Sequence, residues 1–378
     1  MGEINFSIVI PTWNRSSLVG RLLESLFQDR ERYQYGKTEV LVIDNSQGEE
    51  KASIAASCRQ FGAQYIEGVE SVRKKRNLGI DRAQYGHILF LDSDVTVEPG
   101  LLDCHAAAYL GQEGDGKLGG AFGLTEFVGK KSFWWKILEL TSFVDSFGFA
   151  KQFPYVSWTI GNNVSFRKKA LLEIGKFEED LPFKLGGDDL DMSYRVTKAG
   201  YLIKTVPGAV TYHSRDTWNC WKAVNDRSKR WGSMEYHILK RHPELAHRRL
   251  PMTGDIVAFF LLAFGGASIA MQSLLPMAFW GIWCLMLYFM VFGHYVGSHG
   301  MVNPFYWTIA MFLQGKYRFH RLVMSLKNKD LSLAFQGQYF GIFHIRSDFQ
   351  EHAKKAWVYC DSMVLLIIVM LLYKWLAG

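Results

Sequence analysis

The sequence predicts an α/β domain with a mostly parallel sheet, followed by an α-helical transmembrane region. Over the first part of the 378 residues, short apolar runs alternate with helical patterns. Such alternation is typical of parallel strands joined by right-handed crossovers. From Ile256 to Gly297 there is no Lys, Arg, Asp or Glu. We therefore expect two domains, residues 1–250 and 251–378.

The first strand candidates end at polar residues. Strands and helices are expected in the order Phe6–Ile10, Leu18–Phe27, Glu39–Ile43, Ala52–Phe61 and Gln64–Ile66, after which Arg76 opens another helix. Ligands bind at the carboxyl ends of the strands in such sheets. Pro11-Thr12 and Asp44 follow two of these strands, so we expect them to line one site.

A pair of carboxylates follows the next strand candidate, His87–Leu91. Asp92 and Asp94 flank Ser93, and the alternation of a strand points both carboxylates to the same side. Two carboxylates at a strand end suit Mg²⁺ or Mn²⁺ that holds a diphosphate. For this motif alone, a solvated turn is an equal alternative. The neighbouring strand ends decide in favour of the metal site.

Composition restricts the class of partner. The formal net charge of +7 fits both an anionic membrane surface and nucleic acid. Because no nucleic-acid-binding motif is present and the basic residues cluster beside the apolar spans, we expect membrane lipids and no nucleic acid as partners. The five Cys are scattered without a C-x-x-C pair, which indicates neither a disulfide framework nor a zinc site.

The charge-free segment is about 42 residues long, which is enough for two spans of about 20 residues each. Pro276 lies near its middle, so we expect a helical hairpin at about 256–275 and 277–297. A buried hairpin in a large core is the alternative. A third span is expected at about 358–376, where Tyr373-Lys374-Trp375 resembles an interfacial anchor.

The basic residues between the spans predict the orientation. The segment from about 316 to 355 holds eight Lys and Arg, which places it on the cytoplasmic side. A two-span hairpin returns the chain to the side that it left. We therefore expect a multi-pass protein of the cell membrane with its N-terminal domain on the cytoplasmic side.

Six short motifs follow one another along the first domain. They are Ile10–Arg15, Val42–Ser46, Arg76-Asn77-x-Gly79, Leu91–Asp94, Gly161–Arg167, and Gly187–Asp191 followed by Arg195. Together they cover roughly residues 4–215, and they resemble the inverting nucleotide-sugar glycosyltransferases of family 2. The resemblance implies a Rossmann-like GT-A fold, a nucleoside diphosphate sugar as donor, with UDP as the expected nucleotide, and Mn²⁺ or Mg²⁺ as cofactor.

The resemblance also assigns roles on the donor side. It implies that Asp94 is the direct metal ligand, that Asp92 lies nearer the ribose, and that Asp44 grips the nucleobase. The remaining donor-binding positions that it implies are Pro11, Thr12, Arg15, Arg76 and Ser93.

The catalytic base is expected in Asp188-Asp189. The resemblance places it at Asp189, with Asp188 as the nearest rival. A carboxylate crowded by others should have a raised pKa, which suits a proton acceptor. Capping of the helix that starts near Leu190 is the alternative role for members of this cluster.

Three later positions also match relatives. His213 stands where related enzymes contact the metal or diphosphate, although a structural His is the alternative. Asn162-Asn163 matches the segment that lines the donor sugar and acceptor. Arg230-Trp231 matches a motif of processive synthases in which Arg binds diphosphate and Trp stacks on the acceptor sugar. Arg227 replaces the Gln of that motif, which argues against processivity.

We therefore expect a membrane-bound inverting glycosyltransferase that adds one sugar to a lipid-linked or membrane-embedded glycan acceptor. The alternatives are a processive polysaccharide synthase and a catalytically silent membrane scaffold. The aromatic segment 132–149 is expected to be one helix, either packed on the domain or lying in the membrane interface near the acceptor entrance.

Overall fold

The computed structural model describes residues 2–110, 117–182, 186–248, 253–333 and 336–338. These residues divide into two compact units, one up to Ile238 and the other from Leu239 onward. The expected third span at about 358–376 lies outside the described residues, as does the basic segment from residue 339 to 355.

The first unit alternates strands and helices. Its strands are Phe6–Thr12 (β1), Thr38–Asp44 (β2), Gln64–Glu67 (β3), His87–Leu91 (β4), Val95–Val97 (β5), Leu118–Val128 (β6), Tyr155–Val156 (β7), Asn163–Arg167 (β8) and Leu202–Ser214 (β9). Its helices are Ser16–Arg30 (α1), Gly48–Gln60 (α2), Val72–Arg82 (α3), Leu101–Tyr109 (α4), Phe133–Leu138 (α5), Phe149–Gln152 (α6), Lys168–Glu173 (α7) and Asp188–Lys198 (α8), followed by Trp221–Arg241 (α9), which continues past Ile238. Short 3-10 helices cover Ser142–Gly148 and Arg215–Thr217.

The strands form one sheet in the order β3-β2-β1-β4-β8-β6-β9-β5, with β7 paired to β9. β1 to β4 are parallel to one another, and β6 is parallel to β9. β8 runs antiparallel to β4 and β6, and β5 and β7 run antiparallel to β9. The predicted α/β fold is confirmed, and its parallel pairs are those among β1 to β4 and the pair of β6 with β9.

Both faces of β1 are buried, which explains its continuous apolar run. Ile8 and Ile10 pack into the hydrophobic core with α1, and Val9 lies on the opposite face against α3. Helix α3 begins at Val72, where the Ser71 side chain accepts a hydrogen bond from the backbone N–H of Lys74. The expected helix start at Arg76 is therefore one turn too late, because the capping residue lies upstream of the motif.

The aromatic segment does not form one helix. Ser132 caps α5, and the Thr141 side chain caps the 3-10 helix that follows, so the expected helix over 132–149 is broken into α5, a 3-10 helix and α6.

The second unit is mainly helical. It contains Thr253–Ala270 (α10), Leu275–His299 (α11), Pro304–Lys327 (α12), the paired strands Ala246–Arg248 (β10) and Gln336–Gln338 (β11), and 3-10 helices at Pro243–Leu245 and Leu331–Leu333. Helices α10 and α11 pack through Phe264, Trp283 and Leu287. Pro276 lies in the first turn of α11 rather than in the connection, because a missing N–H costs nothing at that position.

Within the described part of the chain, one helical segment, Leu275–Gly297, is long and apolar enough to cross a membrane. The apolar segment Phe260–Ala270 of α10 is shorter than a span. The described residues thus contain one candidate span where the sequence predicted two.

Gly79 tests how closely α3 lies on β1. A Cβ at this position would overlap the side chain of Val9, although Gly79 is helical and Ala favours helices by about 1 kcal/mol. We expect Gly79→Ala to destabilise the protein by about 1–3 kcal/mol through overpacking. Thermal unfolding in detergent measures the effect. Gly86→Ala is the control, since a Cβ added at Gly86 would have no atom within 4 Å. A higher melting temperature for Gly79→Ala would contradict the close contact.

Candidate active site

The carboxylate of Asp94 lies between two side chains from distant parts of the chain. Its Oδ2 atom is 2.8 Å from Nη1 of Arg15, which follows β1. Its Oδ1 atom is 3.5 Å from Nε2 of His213, near the end of β9. Ser93 is buried, and its hydroxyl lies 3.5 Å from Arg15. The structure thus brings Asp94, Ser93, Arg15 and His213 together at one edge of the sheet.

The hydrogen bonds of His213 determine which nitrogen faces Asp94. Nδ1 is 2.9 Å from the carbonyl oxygen of Ser214, and because a carbonyl only accepts, Nδ1 carries the proton of that bond. In the neutral ring the lone pair of Nε2 therefore points towards a carboxylate oxygen. A metal ion bound between these two electron-rich atoms would be ligated by both. An imidazole anchored through its other nitrogen is the usual arrangement of a metal ligand.

Asp94 and His213 offer a metal ion two protein ligands, which suits an ion whose other ligands come from the substrate. Among the described residues, no group of three or more His, Cys, Asp or Glu is gathered for a metal ion. If Asp94 and His213 held a metal ion, phosphate oxygens and water would fill its remaining positions, as is common for Mg²⁺ at nucleotide sites. Asp92 lies within electrostatic reach of Asp94 and His213, while its Oδ1 atom is 3.0 Å from Arg76.

Arg76 joins three functional segments inside the protein. Its Nη1 atom is 2.7 Å from Oδ2 of Asp188, and its Nη2 atom is 3.0 Å from Asp92 and 3.3 Å from the carbonyl oxygen of Gly161. The side chain is about 5% exposed and packs on the ring of Phe177. Burial alone would lower the pKa of the guanidinium, but Asp188, Asp92 and Asp189 outweigh it and raise the pKa. We expected Arg76 to face the donor; instead its guanidinium points inward.

Asp188 and Asp189 have different surroundings. Asp188 is buried and paired with Arg76. Asp189 is half-buried and accepts hydrogen bonds of 2.9 Å from the backbone N–H groups of Gly161 and Leu190. Burial, and then the negative charge of Asp188, raise the pKa of Asp189 to about 6. Asp189 is therefore the carboxylate better suited to accept a proton near neutral pH.

The remaining members of the acidic motif support the helix. Gly187, with a φ of 76°, is the N-cap of α8 and makes no side-chain cap, so neither Asp188 nor Asp189 is the capping residue. Asp191 is fully buried and pairs with Arg195 at 2.9 Å. Arg195 in turn donates to the carbonyl oxygens of Ile174 and Lys176, so this pair ties α8 to the turn after α7.

Helix α9 brings two arginines to the same region. The guanidinium of Arg227 lies over the ring of Trp218, 3.9 Å from its centroid, and donates to the carbonyl oxygens of Thr217 and Ala223. Burial, and then the positive charge of Arg230, lower the pKa of Arg227 to about 10, while Asp94 opposes that shift. Nε of Arg230 and Nε1 of Trp218 are buried and have no hydrogen-bond partner among the described residues. These donors form a cationic wall that suits an anion.

Trp231 links this wall to the base segment. Its ring lies 5.9 Å from that of Trp218 and 5.7 Å from that of Phe143. A Cβ added to Gly186 would lie 3.3 Å from the indole nitrogen of Trp231, so the indole packs against the backbone just before Asp188. The predicted pair Arg230-Trp231 therefore lies beside the predicted base.

The carboxyl ends of β1 and β2 form a second group. Asp44 accepts hydrogen bonds from the Ser46 hydroxyl at 2.6 Å and from the Tyr65 hydroxyl at 3.0 Å, and it is 1% exposed. Lys75 is buried and donates to the carbonyl oxygen of Thr12. Burial lowers the pKa of the Lys75 ammonium to about 8, against the opposing effect of Asp44. Pro11 is buried within β1, and the Thr12 hydroxyl has no partner among the described residues.

Asn162 and Asn163 differ from the expectation. Asn163 is fully buried, and its amide group donates to the carbonyl oxygens of Leu124 and Ala209 and contacts His105. It thereby joins β8 to β6 and β9 where their register shifts. Asn162 donates to Thr125, and its Oδ1 atom is buried without a partner among the described residues. The side chain of Asn163 thus joins strands, and its amide is fully occupied by the protein.

Three side chains at this edge were not predicted. Lys75 lies in a run of basic residues that resembles a solvated face, and its burial is visible only in the fold. Trp218 follows His213 closely in sequence and packs 6.2 Å from its ring. Trp13 is 59% exposed between Thr12 and Asn14. A large exposed aromatic side chain directly after a strand end was a usable signal for this last residue.

Comparison with known proteins agrees with this geometry. Residues 7–175 match the sequence model of Glycosyl transferase family 2. The chain carries a family 2 glycosyltransferase domain. The predicted family is confirmed, and the matched residues include the strand ends that bear Asp44, Asp92 and Asp94.

The chain is similar to two bacterial synthases. It is 27% identical over 243 residues to a chondroitin synthase of Escherichia coli, covering 55% of this chain and 34% of that protein. It is 25% identical over 247 residues to a hyaluronan synthase of Pasteurella multocida, covering 56% of this chain and 24% of that protein. The chain thus spans a quarter to a third of the length of these curated relatives.

A solved structure shares the fold over most of the chain. The mannosyltransferase PcManGT from Pyrobaculum calidifontis, in complex with GDP-Man and Mn²⁺, superposes with a TM-score of 0.53 at 15% identity. The match covers 87% of this chain and 88% of that one. The predicted GT-A fold is confirmed by this likeness.

The bridge made by Arg76 has a measurable effect on stability. Arg76→Met leaves the buried carboxylate of Asp188 without its partner, which typically costs about 3–5 kcal/mol. We expect a correspondingly large fall in the midpoint of urea unfolding, partly restored in Arg76→Lys. Lys151→Met, which breaks an exposed pair with Glu126, is the control and should change stability by less than about 1 kcal/mol. Equal effects of the two Met variants would contradict the bridging role.

Proposed function

We propose that this chain is a membrane-bound, metal-dependent inverting glycosyltransferase. It transfers a sugar from a nucleoside diphosphate sugar to a lipid-linked or membrane-embedded acceptor at the cytoplasmic face. The observation that carries the proposal is the Arg76 bridge, which brings the Asp92–Asp94 edge next to the Asp188-Asp189 segment. A donor diphosphate and an acceptor hydroxyl bound at these two places are then close enough to react.

The leaving group is stabilised by fixed positive charge. As the bond between the anomeric carbon and the diphosphate oxygen breaks, negative charge develops on the nucleoside diphosphate. Arg15 and Arg227 near Asp94, together with Arg230, are the cations of this chain that meet that charge. Asp94 and His213 would hold Mn²⁺ or Mg²⁺, which supplies Lewis-acid neutralisation of the diphosphate.

Asp189 acts on the acceptor. Its carboxylate takes the proton from the acceptor hydroxyl while that oxygen attacks the anomeric carbon from the side opposite the diphosphate, which inverts the configuration. Two backbone N–H groups fix the orientation of the carboxylate, and its raised pKa gives it enough basicity for this step. Trp231 beside the base segment offers a ring face on which an acceptor sugar stacks.

The nucleotide is assigned to the ends of β1 and β2. Asp44, Thr12 and Lys75 supply acceptors and donors there, and exposed Trp13 supplies a flat ring for the base. UDP is the proposed nucleotide. Since both oxygens of Asp44 are engaged by Ser46 and Tyr65, we assign Asp44 to shaping this pocket as much as to direct recognition.

Membrane attachment is proposed for residues 251–378, with residues 1–250 as the catalytic domain. Helix α11 is apolar over Leu275–Gly297 and exposes Ile282, Leu285 and Phe289, as a lipid-facing helix does. The proposed location is the cell membrane, with several spans and the catalytic domain on the cytoplasmic side.

One assay tests the activity and its metal dependence. Purified protein is incubated with a panel of nucleotide sugars and Mn²⁺, and the released nucleotide is identified. We expect release to stop with excess chelator, to return with Mn²⁺ or Mg²⁺, and donor binding to be lost in Asp94→Asn. Full activity in excess chelator would sink the metal assignment. Release from no donor at all supports a silent scaffold, and a ladder of long products supports a processive synthase like the relatives named above.

The role of Asp189 is tested by its pH dependence. Because only the carboxylate accepts a proton, kcat/KM should rise as the pH increases through about 6, the pKa of this group. Asp189→Asn should keep donor binding and lose turnover by about 10²-fold or more. Asp188→Asn is the comparison variant. Nearly normal turnover in Asp189→Asn with an inactive Asp188→Asn would assign the base to Asp188.

A further inference from the structure

An aromatic and basic patch lies on the first unit between the end of β6 and the start of α9. It consists of Val128, Phe133, Trp134 and Trp221, with Lys130, Lys136 and Lys222 at its rim. The ring centroids of Phe133 and Trp134 are 4.9 Å apart, and those of Trp134 and Trp221 are 5.1 Å apart. Val128, Phe133 and Trp221 are each about two-fifths exposed.

The patch is held rigidly from beneath. The Ser132 hydroxyl donates to Asn219 at 2.8 Å, and the Asn219 amide donates to the carbonyl oxygen of Lys130 at 3.2 Å. Arg215 donates to the carbonyl oxygen of Gly129 and lies over the buried ring of Trp135. The two chain segments that carry the exposed rings are therefore fastened to each other, and the exposed apolar surface is not a disordered tip.

The charge of the rim is positive. Lys130, Lys136 and Lys222 are exposed and form no ion pair among the described residues. Lys131 is paired with Glu139, which also accepts a hydrogen bond from the indole of Trp135. The carboxylate of Glu139 is thus paired, and three exposed lysines remain beside the apolar residues in the chain.

The patch lies close to the candidate metal edge. The ring of Trp135 is 4.6 Å from that of Phe127, and Phe127 is 5.2 Å from the ring of His213. Only two packed rings separate the patch from the imidazole beside Asp94. Whatever binds to the patch is therefore held near the candidate site.

We propose that this patch docks on the headgroup region of an anionic bilayer. Indole and phenyl rings settle at the level of the headgroups, and lysines are attracted to anionic lipids. A glycan platform would need free acceptors for sugar hydroxyls beside the rings. Here Asn219 and Glu139 are already engaged, and Val128 and Phe133 offer no hydrogen bonds. The inference rests on the proposed function, because it explains how a membrane-embedded acceptor reaches the site.

Cys220 provides a reporter inside the patch, since it is exposed between Asn219 and Trp221. In the full chain, the other four Cys are replaced, and Cys220 carries an environment-sensitive fluorophore. The protein is reconstituted in vesicles of phosphatidylcholine with or without phosphatidylglycerol. We expect a blue shift and strong quenching by headgroup-nitroxide lipid in the anionic vesicles. The triple variant Lys130→Glu, Lys136→Glu, Lys222→Glu should lose both signals.

Leu172→Cys, labelled in a Cys220→Ser background, is the matched control, because Leu172 is exposed and apolar on α7 of the same unit. Its label should remain in water in both vesicles. A Cys220 label that stays in water in anionic vesicles overturns the proposal, as does protection by soluble oligosaccharide in the absence of lipid. Donor hydrolysis is measured on the same sample. If the label contacts lipid but no nucleotide is released, the docking patch is supported and the proposed function is rejected. If nucleotide is released but the label stays in water, the proposed function is supported and the docking patch is rejected.

Discussion

The buried ion bridge of Arg76 is the constraint on which the arrangement of the site depends. One guanidinium satisfies Asp92 at the end of β4, Asp188 at the start of α8 and the carbonyl oxygen of Gly161 before β8. A charge in so dry a place is tolerated only when all its partners remain in position. The same bridge explains Gly161, since any side chain there would overlap the guanidinium. The backbone N–H of Gly161 in turn donates to Asp189. Arg76 therefore affects the position of the proposed base both through Gly161 and through Asp188, the residue before it.

The two halves of the site divide the electrostatic work. Around Asp94 the protein supplies few ligands and several cations, which leaves room for phosphate oxygens. Around Asp189 it supplies a second carboxylate, Asp188, whose charge is met by Arg76 and also acts on Arg230. The first environment favours a departing anion, and the second favours uptake of a proton. Both environments lie at the same end of the mixed sheet.

Much of the fold could be predicted from the sequence, because each strand is indicated by a local apolar run with a polar residue at its end. The apolar runs of β1, β2 and β4 end at Thr12, Asp44 and Asp92–Asp94, and strand polarity alone gathers those ends. The direction in which Arg76 points could not be predicted. A basic residue inside a helix is usually solvated, and the acidic partners of Arg76 are distant in the chain. The bridging role of Asn163 was not predicted for a related reason. Its amide binds the carbonyl oxygens of Leu124 and Ala209, which lie far away in the chain, and such contacts appear only in the folded structure.

The stacking of Arg227 on Trp218 has a consequence for how this site can change over evolutionary time. The two residues share one buried surface, and the guanidinium covers the face of an indole that also packs on His213. Exchanging Arg227 for the smaller, neutral Gln removes this contact from a ring that packs beside His213. Because the two side chains share one buried surface, we expect a change at residue 227 to be tolerated better when residue 218 changes with it. The two positions are therefore expected to vary together.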